Sequence, residues 1–559
     1  MTQQPQAAKL QNPPPPIPCF RPFRPWLRPL IAILLISLVY FYRLDRPLLW
    51  DDEAETGVVA RNTLRSGYPT ASDGRNATLY DNGAELNEYL VFKKIPWTQY
   101  YLGAFSLLVF GNTTAGLRIL FASCGVLSFL PIYAILRTRL KYPAFLTTLA
   151  MLSPQIVLFQ RSARYYPMLI LLYAILVWHL LGKFKSSMIH FISASLIFVL
   201  LFHTHPLAAM CSGLSLIGFC LFSRRRDLVS YFFAFAAGFA SWLIWYRLLG
   251  PSLAEADFAF SLINTNFGIW FKMFCTGLLA TIIDMDVVGC LPLLLWAVLL
   301  AVVFARRRTV RGVFRDPLYA FVFLNIFVQA VACAALFGFE SASRYSMLRY
   351  QPHLLVFGLI AAFMALQTVV AGKCACLLVS LFAVAFNLLA FSFWAKPFAR
   401  RVPFSWALPV YAEIFNPRET VWDLALSRLA GESQNAPDPG TVLLAQPPWT
   451  REIAIFYLGG QYLIRPILHP PSAPCEQALR RNMGAQALAG LMSQPEWILS
   501  FPGSSKSVPA GYDLAGTFPS HQTEPVDGSR PELTHHSFAQ SAAVSEARLF
   551  HLQKNPARP

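Results

Sequence analysis

Apolar runs of span length, separated by short polar breaks, recur along the first 395 residues. A bilayer core of roughly 30 Å needs about 20 apolar residues in a helix, with about 17 as the lower limit. By that measure the pattern predicts spans near 28–44, 115–136, 142–160, 165–182, 188–203, 206–222, 229–249, 287–305, 317–338, 352–370 and 374–394, about eleven in all. The apolar stretch 97–110 is short for a span and suits a helix lying on the membrane surface, and 270–285 is likewise expected not to cross. Beyond Lys396 prolines become more frequent and no span-length run follows. There Thr441–Ala445, Ile453–Leu458, Trp497–Phe501 and Leu549–Leu552 read as short strands and Asp423–Leu429 as a helix. The expected fold class is an all-α polytopic membrane protein with a small C-terminal α/β domain outside the membrane. The expected organisation is a tail over 1–27, a transmembrane domain over 28–395 with a polar loop at 45–97, and an outer domain over 396–559. Residues 518–546, rich in Ser, His, Pro and Glu, read as loop or disorder.

Composition and charge sharpen this picture. Of 559 residues 55% are hydrophobic and only 13% charged, too apolar for a soluble multidomain chain. A net charge of +17 would suit nucleic acid, but the basic residues fall in short runs between apolar segments, which is how membrane orientation is written. No nucleic-acid partner is expected. Arg21, Arg24 and Arg28 before the first span place the N-terminus in the cytoplasm. The runs around Arg137, Lys183, Arg224, Arg306 and Lys373 then mark the same side, which leaves the C-terminal domain outside. The first apolar segment lacks a cleavage pattern and is expected to stay as an anchor. Most cysteines lie inside apolar segments and no CxxC pair exists, so neither a disulfide framework nor a cysteine-ligated metal is expected.

This orientation brings four polar segments to one face. The loop 45–96 opens with Trp50-Asp51-Asp52-Glu53-Ala54-Glu55. A carboxylate here suits general-base work on an acceptor hydroxyl, with Asp52 the preferred base and Glu53 and Glu55 supporting it. The same oxygens are alternatively suited to a divalent metal, and a solvated acidic loop is the plain reading. Val58, Val59 and Leu64 then follow at helix-compatible intervals. Gln160 to Tyr166 carries Arg161 and Arg164 at i and i+3, one face of a helix, suited to a lipid phosphate or to snorkelling toward headgroups. His203-Thr204-His205-Pro206 lacks a third ligand for zinc and fits helix termination and phosphate contact better. Ser343-Arg344-Tyr345 and Leu348-Arg349-Tyr350 add a second arginine–tyrosine pair, and two such pairs on one face favour an anionic ligand.

These segments, in this order, resemble a known family. WDDEAETGVVARNTLRSGYP and KKIPWTQYYLGAFSLLVFGNTTAGLR look like the first outer loop of GT-C membrane glycosyltransferases of the dolichyl-phosphate-mannose–protein mannosyltransferase type, to which the bacterial aminoarabinose transferases are similar. LSPQIVLFQRSARYYPMLILLYAI, HTHP and SRYSMLRYQP resemble later outer-face motifs, so the likeness covers about residues 40–395. The resemblance implies inverting transfer of a sugar from a polyprenyl-phosphate donor to a hydroxyl of a protein, lipid or glycan. It places the protein in a bacterial inner membrane with the site on the periplasmic face. Asp52 would match the family's first-loop acid and Glu53 its neighbour. Lys93, Lys94, Arg164, Tyr165, Arg344 and Tyr345 would match positions near the donor phosphate, Lys94 better than Lys93. Ser162 stands where relatives often carry a glutamate, which weighs against a metal at that loop. Asn76-Ala77-Thr78 fits a glycosylation sequon, a match expected to be accidental. A transporter of lipid-linked sugars, or an inactive scaffold of the same fold, would share several of these features. No internal repeat supports a transporter.

Overall fold

The computed structural model describes residues 26–253 with short breaks at 80–82, 84, 94, 183–185, 224–226 and 252, then 316–337, 350, 352–369, 414–415, 421–435, 441–446, 450–465, 473–500, 509–519 and 546–552. The expected spans 287–305 and 374–394, most of the tail, and most of 518–546 lie outside the described residues.

Helix α1 (Leu27–Phe41) leads into α2 (Asp51–Ser66), α3 (Thr98–Phe110) and α4 (Thr114–Leu136). Then come α5 (Pro143–Met151), α6 (Pro154–Arg161), α7 (Tyr166–Leu181), α8 (Ser187–Phe202), α9 (Pro206–Ser223) and α10 (Leu228–Leu248). Two further apolar helices are α11 (Pro317–Phe337) and α12 (Pro352–Val369). The boundaries follow local chemistry. Thr113 caps α4 by accepting the Gly116 N–H at 3.0 Å, and prolines open α5, α6, α9, α11 and α12, where a missing N–H costs nothing.

One expected span is corrected. The run 142–160 is not one helix but two, because Pro154 has no N–H for a continuing ladder and starts a new helix after Ser153. α4 and α10 are the helices among the described residues that are both long and apolar enough to cross a bilayer, with mean hydropathy 2.2 and 1.6. Leu30, Leu34 and Leu38 of α1 and Ile189, Ile192 and Leu196 of α8 face outward at helical spacing. Contiguous apolar stripes of this kind are unfavourable in water and suit acyl chains. α4 packs along α7, α8 along α10, and α11 against α9 and α12. α8 and α10 approach tightly at Gly238, where a Cβ would lie 2.8 Å from the Phe198 carbonyl carbon.

The C-terminal region is the expected α/β domain. α13 (Val421–Asn435) precedes β1 (Val442–Gln446), α14 (Arg451–Leu458), β2 (Leu463–Ile464), α15 (Ala473–Met483), α16 (Ala485–Leu491), β3 (Trp497–Ser500), β4 (Tyr512–Pro519) and β5 (Glu546–Leu552). The strands form one sheet in the order β2-β1-β3-β5-β4, parallel around β1 and antiparallel around β5. Ile453–Leu458, expected as a strand, is the core of α14. Its apolar run is buried on nearly all sides, and burial on all sides erases the periodicity that separates helix from strand.

This domain grips the first loop. Asn76 donates to the carbonyls of Gly459 and Tyr462 at 3.1 and 3.2 Å and accepts from the Ile464 N–H at 2.6 Å. Thr78 donates to Glu452 at 2.9 Å, and the Tyr457 hydroxyl meets both the Leu49 N–H and Thr114 Oγ1. Asn76 is thus buried with its amide fully engaged, which leaves the sequon no accessible acceptor nitrogen.

Candidate active site

The acidic run is the first turn of α2. Asp51, Asp52 and Glu53 sit at the positive end of the helix dipole, which favours carboxylates there. Trp50 precedes them, completely buried, and fixes where the turn starts. Successive residues of one turn point in different directions, so the acids have different surroundings.

Glu53 points inward. Its Oε1 accepts from Arg118 Nε at 2.9 Å and from the Ala163 N–H at 2.6 Å, and its Oε2 accepts from Arg118 Nη2 at 2.5 Å. Arg118 also donates to the carbonyls of Leu44, Pro47 and Leu48, so α2, α4 and the approach to the loop are tied at one buried ion pair. Such fork-to-fork pairing fixes geometry as well as charge. Asp52 faces a wetter space, with 21% of its side chain exposed, and Arg164 Nη2 lies 3.5 Å from its Oδ2.

Glu55, one turn on, is buried. Its Oε1 accepts from the Tyr100 hydroxyl of α3 at 2.8 Å and from Arg164 Nη1 at 3.2 Å. Burial pushes the Glu55 carboxyl up to about 8; Arg164 opposes this, while Glu85 and Asp52 add to it. Burial works against the Arg164 guanidinium, but Asp52 and Glu55 outweigh it and hold its pKa well above the ordinary value. Arg164 Nη1 also donates to Thr56 at 3.1 Å.

Other expected site residues are distributed differently. Arg161 and Arg164 do not share a helix face: α6 ends at Arg161 and Ser162 is extended, which turns the two side chains apart. Arg161 instead donates to the carbonyls of Val39, Tyr40, Tyr42, Arg43 and Arg46, satisfying the open C-terminal end of α1. Tyr165 packs on His205, ring centroids 4.6 Å apart. His205 opens α9 by accepting the Ala208 N–H at 3.0 Å, and burial lowers its pKa to about 3. His203 ends α8, contacts Ser241 at 3.2 Å and receives Thr98 on its carbonyl. Both histidines are helix-boundary residues. Lys93 turns toward the Gly250 carbonyl and lies 4.3 Å over the Tyr246 ring, away from the acids. Lys94, Arg344, Tyr345 and Arg349 lie outside the described residues. Among the described residues no group of three or more His, Cys, Asp or Glu side chains is arranged to hold a metal ion.

Arg118, Tyr100 and Thr56 were not singled out from sequence. Arg118 had a signal, a lone charge near the start of an otherwise apolar helix. Tyr100 had none, being one aromatic among many.

The helical body, with the acid-rich α2 held against the C-terminal α/β domain, is similar in fold to solved membrane proteins. The aminoarabinose transferase ArnT of Cupriavidus metallidurans bound to undecaprenyl phosphate superposes with a TM-score of 0.52 at 13% identity, covering 95% of this chain and 98% of that one. Its apo state gives 0.51 at 16% identity, over 85% and 92%. At such identities the likeness is one of fold. No family model and no curated protein matches the sequence.

Proposed function

We propose that this chain is an integral membrane glycosyltransferase that moves a sugar from a polyprenyl-phosphate donor to a hydroxyl acceptor on the non-cytoplasmic face, with inversion. The observation that carries the reading is Asp52, the partly exposed carboxylate of the acidic turn, held at 3.5 Å by Arg164 on a full-length GT-C fold. The undecaprenyl phosphate in the ArnT structure supports the donor class.

The chemistry asks little of the protein. A lipid phosphate is already a good leaving group, so a single displacement needs a base for the acceptor and positive charge for the departing phosphate. Asp52 takes the acceptor proton as the oxygen attacks the anomeric carbon, and the bond from that carbon to the phosphate oxygen breaks on the opposite side. Glu53, occupied by Arg118, holds the turn rather than reacting. Arg164 orients Asp52 and lends the site positive potential. Tyr165, Lys94, Arg344 and Tyr345 remain the proposed surroundings of the phosphate.

The test is transfer from a panel of radiolabelled polyprenyl-phosphate sugars into envelope fractions by wild type and Asp52→Asn. Wild-type incorporation that drops at least a hundredfold in the variant, as expected for loss of a general base, supports the assignment. Equal turnover by a correctly inserted Asp52→Asn protein removes Asp52 as the base.

A further inference from the structure

We propose that Glu55 is a positioning residue for Asp52: the two carboxylates share the Arg164 guanidinium, and the share that Glu55 takes sets how firmly Asp52 is held. This rests on the reading of Asp52 as the base and adds to it a control that neither the acidic run nor the fold comparison assigns.

The geometry is specific. Asp52 and Glu55 stand at i and i+3 on α2 and so face the same side. Arg164 bridges them, Nη1 at 3.2 Å from Glu55 and Nη2 at 3.5 Å from Asp52. The contact to Asp52 is long for a charge-assisted pair, which favours about 2.8 Å, and is therefore sensitive to a competitor. The charged and titratable groups acting on Glu55 are Arg164 from the segment between α6 and α7, Tyr100 from α3, Glu85 from the loop before α3, and Asp52 from α2 itself. Among the described residues, Arg164 is the guanidinium that meets both carboxylates. While Glu55 is a neutral acid, Asp52 is the anion that Arg164 answers; once Glu55 ionises, a second anion stands at the shorter distance and draws the guanidinium away.

The sign follows from burial. Burial pushes the Glu55 carboxyl up to about 8 from 4.5 for the free side chain, so the neutral acid prevails at neutral pH. The stability tied to that proton is present at low pH and is lost as pH rises through about 8. Turnover is expected to fall across the same limb.

The test uses the full chain in proteoliposomes, with the donor that wild type accepts, comparing wild type and Glu55→Gln. Gln keeps an acceptor for Tyr100 and cannot ionise. Between about pH 7 and about pH 9 an acid of this kind passes from about one-tenth to about nine-tenths ionised, so wild-type kcat should fall about tenfold while the donor KM changes little. Glu55→Gln should fall far less. Melting temperature, read on the same samples, should drop across this interval in wild type and stay flatter in the variant. Superimposed pH profiles of both quantities overturn the proposal. The melting measurement does not need turnover. A wild type that transfers no sugar yet shows the Glu55-dependent melting slope refutes the glycosyltransferase reading and supports the shared guanidinium, whereas equal slopes refute the sharing whatever the turnover.

Discussion

The Arg118–Glu53 pair is the most heavily buried charge contact at the site, with 5% and 1% of the two side chains exposed. Removing one partner strands the other's charge away from water, which typically costs about 3–5 kcal/mol. Arg118→Met leaves Glu53 with only the Ala163 N–H, and also frees the carbonyls of Leu44, Pro47 and Leu48, each worth about 1 kcal/mol. Glu53→Gln keeps an oxygen for Ala163 but leaves the guanidinium uncompensated, and is expected to fall in the same range. The double variant strands no charge. It should therefore cost less than the sum of the singles, with a coupling of about 2 kcal/mol, the residue being mostly the lost carbonyl contacts. Reversible SDS unfolding in mixed micelles, followed by tryptophan fluorescence, reads all four species of the cycle. Singles costing under about 1 kcal/mol, or a strictly additive double, would falsify the view that this pair anchors the acidic turn.

Two further expectations follow from individual contacts. A Cβ on Gly57 would lie 2.5 Å from the Phe456 ring, so Gly57→Ala should destabilise the seam between α2 and α14 by about 1–3 kcal/mol, and added Phe456→Ala should restore much of it; limited proteolysis of the C-terminal domain reads the loosening. Burial lowers the His205 imidazole to about 3 from 6.5 when free, so the unfolded chain binds the extra proton and stability should fall as pH drops from about 6.5 toward about 3. His205→Asn, which keeps an acceptor for Ala208, should flatten that limb in melting curves taken against pH.

Much of the helical body was legible because apolar length is a strong signal: Thr114–Leu136 and Leu228–Leu248 match their expected spans to within one residue at each end. The break at Pro154 was written in the sequence as a serine–proline step but was outweighed by the apolar residues around it. The acidic turn was legible as a site, yet its division of labour was not. Which of Asp52, Glu53 and Glu55 meets water depends on what α3, α4 and the Ser162–Tyr165 segment bring to each direction around α2, and that is tertiary information. Arg161 shows the same limit: three residues from Arg164, its spacing predicts the same role, but a single extended residue sends it to the end of α1 instead.

The grip of the C-terminal domain on the first loop has a consequence for biogenesis. Contacts such as Thr78 with Glu452 and Asn76 with Ile464 join residues 374 and 388 positions apart. During synthesis the acidic helix is made long before its last supports exist. The site is therefore assembled last, after the whole helical body has been inserted. A chain truncated between α7 and α14 would carry Asp52, Glu53, Glu55, Arg118 and Arg164 and still lack the helix that packs on α2. Completion of the chain thus acts as a built-in checkpoint on when the site takes shape.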